Sequence, residues 1–512
     1  MLRIKVETES GTKYKDVVVI DSHCHMGKDV DGVEMMNPLA PGSGTFDFWA
    51  QVQSLVEQEW EKTGEQNFMT TINGKTHVLS FEFAQMPFLK KILEHLEEIQ
   101  DPSYKDMNSR FEKQQLIDQA CIFPFQDVFR DKMPEASYRA SNTNIMRFTT
   151  RFPFSLRLIG YMRCDPQQGE RAVREVDYGV QIGARGLKLH PRSEGWIDHI
   201  YGPDAVKVLV RATQYYLPVI LDTRGKQSIF DIGELIKNTR NYLQNHHPEL
   251  VPHLKVIIAH CAQGNVGDYD VYNTICQPNT WGELSMLHGK GAENFFKDFR
   301  NWYNSTGMQQ RTGKRWSENL LYGSDFPYFG PKHAFGLIYY LMNKEFFDSG
   351  GTLEDMQNIM GLNQLKLLPE YSAPYLEHNS VPGISSLINS PNPELPSTDV
   401  AIKAIANLLN SGLMEIEKIL FQFDGNYSNY KGEVLLATKA KRKQDQIINL
   451  VVMNLVKDKL AMISTLSKNS HWKQFGFKYF DPEDREFLHS VFQQSKSVTD
   501  GQSAYEVIKQ IY

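Results

Sequence analysis

The sequence predicts an α/β chain: a closed (β/α)8 barrel with an α+β insertion after its first strand and a helical extension at its C-terminal end. Three observations predict it. Eight apolar runs of strand length alternate with amphipathic helical stretches between residues 17 and 328, and strand–helix–strand units build parallel sheets with right-handed crossovers. A doubly wound open sheet, the competing topology, would want a glycine-rich phosphate turn after the first strand, and GxGxxG is absent there. Polar residues end the apolar runs, as they do where the carboxyl ends of barrel strands carry a site.

Residues 1–16 read as a short lead-in strand, and VVVIDSHCH (17–25) as the first barrel strand. The segment from about 28 to 115 breaks the alternation. In it FDFWAQVQSLVEQEW has helical periodicity, and FMTTINGKTHVLSF reads as a hairpin about Asn73-Gly74, the preferred dipeptide for a tight turn. A further helix is expected over 85–99. An insertion of this size usually caps or lines a site. Its histidines, His77 and His95, read as surface residues.

The remaining strands follow in order: QACIFPF (119–125), LIGYMRCDP (158–166), ARGLKLHP (184–191), LPVILDTRG (217–225), LKVIIAHCA (254–262), the weaker WGELSML (281–287) and NLLYGSDFPY (319–328). Helices are expected through Arg151 and around 168–181, 203–215, 228–244 and 291–303. The barrel domain then spans 1–369, and the Pro/Ser/Asn-rich stretch 370–398 reads as a linker. Residues 399–512 form the helical extension, with long helices over 399–422 and 431–467. KAKRK (439–443) has acidic neighbours and reads as a solvated helix face.

The 512 residues carry a net charge of −6, with 41% hydrophobic and 23% charged residues. That is a globular profile without the basic footprint of a nucleic-acid binder. The opening MLRIKVETES lacks a signal-peptide core, and no apolar run reaches membrane-spanning length; IINLVVMNLV (447–456) is too short. The five cysteines form no CxxC pair and read as free thiols of a reducing, cytoplasmic compartment. The expected partners are a small-molecule substrate and, by default, a second copy in a homodimer.

His23 and His25 are two residues apart on a strand, where side chains alternate faces, so their imidazoles aim at one point. Neutral imidazole is the commonest transition-metal ligand among side chains. Lys188 and His190 share a face in the same way, and Asp222, His260 and Asp325 end further strands. A buried polar group without a partner costs about 1–3 kcal/mol. Imidazoles and carboxylates meeting at one barrel mouth are satisfied together by a divalent cation; a set of separate ion pairs is the competing reading.

DSHCH at the first strand, GLKLHP at the fourth, IIAHCAQG at the sixth and LYGSDFP at the eighth occur in one order. RFP leads to GYMRCDP before and in the third strand, and NIMGLNQLKLLPE (358–370) carries Gly361 and Asn363. With this set the chain resembles, over roughly 17–369, the amidohydrolase-related family of metal-dependent TIM-barrel hydrolases and decarboxylases. The resemblance implies that His23, His25 and Asp325 hold a metal, with Asp325 also the proton acceptor, and that His260 binds metal or polarises substrate and water. The family usually has a histidine at the end of the fifth strand, where this chain has Asp222; a carboxylate can replace imidazole, so Asp222 joins the expected ligand set. Some superfamily members bridge two metals with a carboxylated lysine at the fourth strand, but here Lys188 is expected to pair with Asp222 or Asp325. One divalent metal follows, zinc first and manganese as the alternative. Lys188, His190, Arg163, Arg192 and Arg224 are the expected substrate-binding residues. The implied activity is hydrolysis by a metal-activated water on a small, carboxylate-bearing substrate. Non-oxidative decarboxylation on the same barrel, or a binding or scaffold role without catalysis, are the alternatives.

Overall fold

The computed structural model describes residues 1–26, 45–84, 114–125, 138–149, 157–261 and 267–369, together with the backbone of four strands between 414 and 465. The chain opens with a hairpin, β1 (Leu2–Thr8) and β2 (Gly11–Val17), rather than the single lead-in strand expected. β3 (Ile20–Met26) starts the barrel. A helix, Thr45–Thr63, and the hairpin of β4 (Asn67–Ile72) and β5 (Lys75–Phe83) then interrupt it, as the sequence predicts. β5 pairs with β1, so the insertion and the opening hairpin share one antiparallel sheet of order β2-β1-β5-β4. The helix expected over 85–99 lies outside the described residues.

The other barrel strands are β6 (Gln119–Pro124), β7 (Leu158–Arg163), β8 (Gly186–Leu189), β9 (Val219–Leu221), β10 (Val256–Ile258), β11 (Thr280–Glu283) and β12 (Leu320–Leu321). They form an 8-stranded sheet of order β12-β11-β10-β9-β8-β7-β6-β3 whose printed pairings are all parallel. The two edges meet. A parallel bridge joins Cys24 to Phe326, the His25 N–H donates to the Phe326 carbonyl at 2.8 Å, and the Ser22 N–H donates to the Tyr322 carbonyl at 3.1 Å. The fold is a TIM barrel.

Parallel strands are covered on both faces, so they read as continuous apolar runs, yet their side chains still alternate. In β7, Leu158 and Met162 join the core beneath the helices, while Ile159 and Tyr161 fill the barrel. Val219 and Leu221 against Ile220, and Val256 and Ile258 against Ile257, repeat the division in β9 and β10. Leu365, Leu367 and Leu368 of the closing segment belong to the inner cluster. Helices Arg139–Thr149, Glu170–Gln181, Pro203–Gln214, Lys226–His246 and Gly289–Ser305 match the expected positions; the short helix Tyr269–Ile275 between β10 and β11 is additional. None of the described helices is long and apolar enough to cross a membrane.

The helical extension is corrected. Its described residues are strands: β13 (Met414–Phe423), β14 (Gly432–Ala440), β15 (Ile448–Val456) and β16 (Lys459–Thr465), an antiparallel meander in chain order. Leucine- and lysine-rich composition suggests helix, but DGNYSNYKG (424–432) supplies turn residues, and each run between such breaks has strand length. The linker at 370–398 lies outside the described residues.

Candidate functional site

Two local irregularities aim the imidazoles. Val18 and Ile20 point into the barrel, so regular alternation would also send residues 22 and 24 inside and the histidines out. The β3–β6 register slips between Asp21 and Cys24, where Asp21 faces Ala120 and Cys24 already faces Ile122. This bulge inserts one extra residue and reverses the parity. Cys24 and Met26 therefore join the outer core, and His23 and His25 turn to the mouth. On the sixth strand, Ile257 and Ala259 face inside, which by parity would place His260 outside. His260 instead has φ 52°, a left-handed conformation uncommon outside glycine, and its ring stacks on His23 with centroids 5.0 Å apart.

The side chains meet around two carboxylates. His23 Nε2 and His25 Nε2 each lie 3.2 Å from the same Asp325 oxygen, Oδ1, and His260 Nε2 lies 3.6 Å from Oδ2. Asp222 Oδ2 has His190 Nε2 at 3.3 Å, His260 Nε2 at 3.5 Å and Lys188 Nζ at 3.7 Å. Lys188 also reaches His23 Nε2 at 3.1 Å, so the lysine bridges the two halves of the mouth. Glu283 stands beneath them, its Oε2 2.9 Å from His23 Nδ1. All these residues are buried.

Burial raises the Asp325 carboxyl to about 6, against the pull of His260 and Lys188. Burial also works against the Asp222 carboxylate, but His190, Lys188 and His260 hold it well below the ordinary range. Burial, followed by the charge of Lys188, keeps His23 and His25 far below the usual imidazole value. His260 is the exception: burial lowers it, but Asp222, Asp325 and Glu283 carry it above the ordinary value. Glu283 is pushed up by burial to about 7, with His260 opposing.

The donors fit a divalent cation. His23, His25 and Asp325 offer two nitrogens and one oxygen within 4.8 Å of one another. The 3.2 Å separations of both nitrogens from the Asp325 oxygen match the edge of a tetrahedron with bonds of about 2.0–2.1 Å. A second such group joins His23, His260 and Glu283. His260 Nε2 and Asp222 Oδ1 are buried without a hydrogen bond, polar atoms that a cation or substrate would satisfy. Asp222 belongs to neither three-residue group; it sits among the bases of the opposite half of the mouth.

The expected substrate-binding arginines divide. Arg163 is buried in an ion pair with Glu194 (2.8 Å), lies under the ring of Tyr138 and donates to the Pro124 carbonyl. Arg192 is exposed on the short helix Pro191–Glu194. Arg224 stands at the rim, its side chain 43% exposed and its Nε 3.6 Å from Asp222 Oδ1. Sequence reasoning missed Glu283, which ends a strand as Asp222 and Asp325 do but within a run too weak to mark its boundary. It also missed Ser285, whose hydroxyl lies 2.7 Å from His260 Nδ1, and Tyr328, whose ring packs edge-on to His25 at 5.1 Å.

No family model matches the sequence, and no curated protein does. Among solved structures, the chain is similar to an amidohydrolase from Mycobacterium avium subsp. paratuberculosis K-10, at 14% identity and TM-score 0.37, over 69% of this chain and 98% of that one. It is similar to 4-oxalomesaconate hydratase from Rhodopseudomonas palustris at 13% identity and TM-score 0.36, over 69% of this chain and 96% of that one. It also resembles amidohydrolase 2 from Bifidobacterium longum subsp. infantis at 16% identity and TM-score 0.33, over 69% and 98%. At such identities and scores they carry no argument, and the barrel stands on its own strand order.

Proposed function

We propose that this barrel is a metal-dependent hydrolase acting on a small, carboxylate-bearing substrate. The observation that carries the reading is the meeting of two imidazole nitrogens on one carboxylate oxygen, His23 and His25 on Asp325, in a buried mouth. His23, His25 and Asp325 would hold the metal, which on the chemistry of an N, N, O donor set is zinc or manganese. A bound divalent cation supplies a water acidified towards neutrality and a Lewis acid for the substrate's reacting oxygen.

Asp325 presents its second oxygen towards His260 rather than towards the ligand pair. Its carboxylate, open to His260 on that side, accepts a proton and returns it to the leaving group. His260, held above its ordinary value, donates to the oxyanion that develops at the attacked carbonyl. Lys188 adds positive charge on the same side, and Asp222 keeps it and His190 in place. Arg224 at the rim is the arginine placed to pair with a substrate carboxylate, because Arg163 is committed to Glu194.

Replacing Asp325 tests the reading. With zinc- or manganese-supplemented protein and a panel of carboxylate-bearing amides, esters and lactones, Asp325→Asn is expected to lower turnover by about 10²–10⁴-fold while the unfolding midpoint stays near wild type. Turnover close to wild type overturns the role of Asp325, and release of CO2 instead of hydrolytic products assigns the decarboxylase chemistry. Purified protein holding close to one equivalent of metal is expected; protein that takes up none after supplementation leaves a binding role for the barrel.

A further inference from the structure

We propose that Glu283 is the positioning residue of this centre: its buried carboxylate holds a proton on Nδ1 of the His23 ring and, through Ser285, on Nδ1 of the His260 ring, so that Nε2 of both faces the mouth. The geometry determines each proton in turn. Backbone N–H groups can only donate, and they claim both oxygens of Glu283: Ser285 N–H on Oε1 at 2.6 Å and His260 N–H on Oε2 at 3.2 Å. Both oxygens are therefore acceptors.

His23 lies between Glu283 and Lys188. Its Nε2 lies between Lys188 Nζ at 3.1 Å and Asp325 Oδ1 at 3.2 Å; a lysine ammonium only donates, and the nearer carboxylate is Glu283 on the other nitrogen, so Nε2 is the accepting nitrogen. The ring proton is then on Nδ1, 2.9 Å from Glu283 Oε2. The path to His260 runs through one hydroxyl. Ser285 Oγ has a single proton and gives it to Glu283 Oε2 at 3.0 Å, so it accepts from His260 Nδ1 at 2.7 Å. One carboxylate thus orients two imidazoles from different strands, one directly and one by relay. A metal-ligating histidine generally needs such a partner on its other nitrogen, and loss of that partner typically lowers metal affinity about 10–100-fold.

The tautomer claim stands on hydrogen-bond geometry alone; only its consequence for affinity rests on the metal reading. Glutamine is the informative replacement, because either orientation of its amide puts an NH2 against a backbone N–H that has no other role there. The test uses the 15N-labelled full chain, metal-free, with long-range 1H–15N spectra assigned by single histidine replacements, and zinc affinity measured separately by chelator competition. Wild type is expected to show Nδ1 protonated on both His23 and His260. Glu283→Gln is expected to move the His23 proton to Nε2 and to weaken zinc binding about 10–100-fold. Ser285→Ala is expected to release the His260 pattern while leaving His23 and zinc affinity near wild type, a separation that general loosening of the site would not produce. Wild-type His23 protonated on Nε2, or a Ser285→Ala variant that shifts both rings together, overturns the proposal even if Glu283→Gln does not fold. Absence of zinc binding to wild type with the expected tautomers would count against the hydrolase reading and leave Glu283's role intact.

Discussion

Gly323 has no side chain because the centre leaves no room for one. A Cβ there would lie 2.3 Å from Glu283 Oε1 and 3.0 Å from His23 Cβ. Gly323→Ala is therefore expected to destabilise the fold by about 1–3 kcal/mol, read as a lower urea midpoint, and to weaken metal binding by pushing Glu283 off His23. An unchanged midpoint would mean that the two buried side chains can shift at no cost. At this scale the sequence is legible where residue type and spacing coincide: His23 and His25 share a face, Asp325 ends the last strand, and the three converge. His190 and Lys188 were read as one face, and both reach Asp222. Parity gave no sign of His260, whose left-handed backbone turns it inward, nor of the one-residue slip that aims the histidine pair. Glu283 was passed over because its strand is short and carries Trp and Gly instead of a β-branched run.

The element that completes the barrel is the closing segment, a π-helical turn at Asn358–Leu362 followed by helix Asn363–Leu367. The Asn363 amide donates to the carbonyls of Ser317 and Leu320, each at 2.8 Å, and so holds this segment against the start of β12. Asn363→Ala leaves two buried acceptors unsatisfied and is expected to cost about 1–3 kcal/mol in a reversible denaturation experiment. Gly361 allows the same segment to pass the strand entrance, since a Cβ would lie 2.3 Å from the Val18 carbonyl oxygen. Long elements were the legible ones. Helix Lys226–His246 and strand β7 bury enough apolar surface to show their period. β12 is only two residues long, and its place was readable from the polar run that follows rather than from the strand itself. The meander of β13–β16 reads as helix in the sequence because its Leu and Lys residues favour helix, whereas the turn residues at 424–432 and the strand-length runs beside them are the signal that decides.

Taken as a whole, the molecule keeps its chemistry-bearing groups inside. All five cysteines are buried and unpaired. Burial pushes the thiols of Cys121 and Cys276 up to about 12 and raises Cys24, Cys164 and Cys261 as well. Thiolate is the reactive form, so the folded chain is expected to resist iodoacetamide at mildly alkaline pH and to take up five equivalents once unfolded in guanidinium, counted by intact mass. Rapid labelling of the native chain would show that the barrel opens. The seam of that barrel has one more consequence. Asp21 Oδ1 receives the N–H groups of Ser324 (2.9 Å) and His23 (3.2 Å), and its Oδ2 receives the Trp49 indole at 3.2 Å. The inserted helix is thereby a structural tenant of the cylinder's joint, not an ornament on its rim. Anyone trimming this chain to a minimal scaffold would strip a partner from a carboxylate shut away from water, and would loosen the barrel mouth from behind.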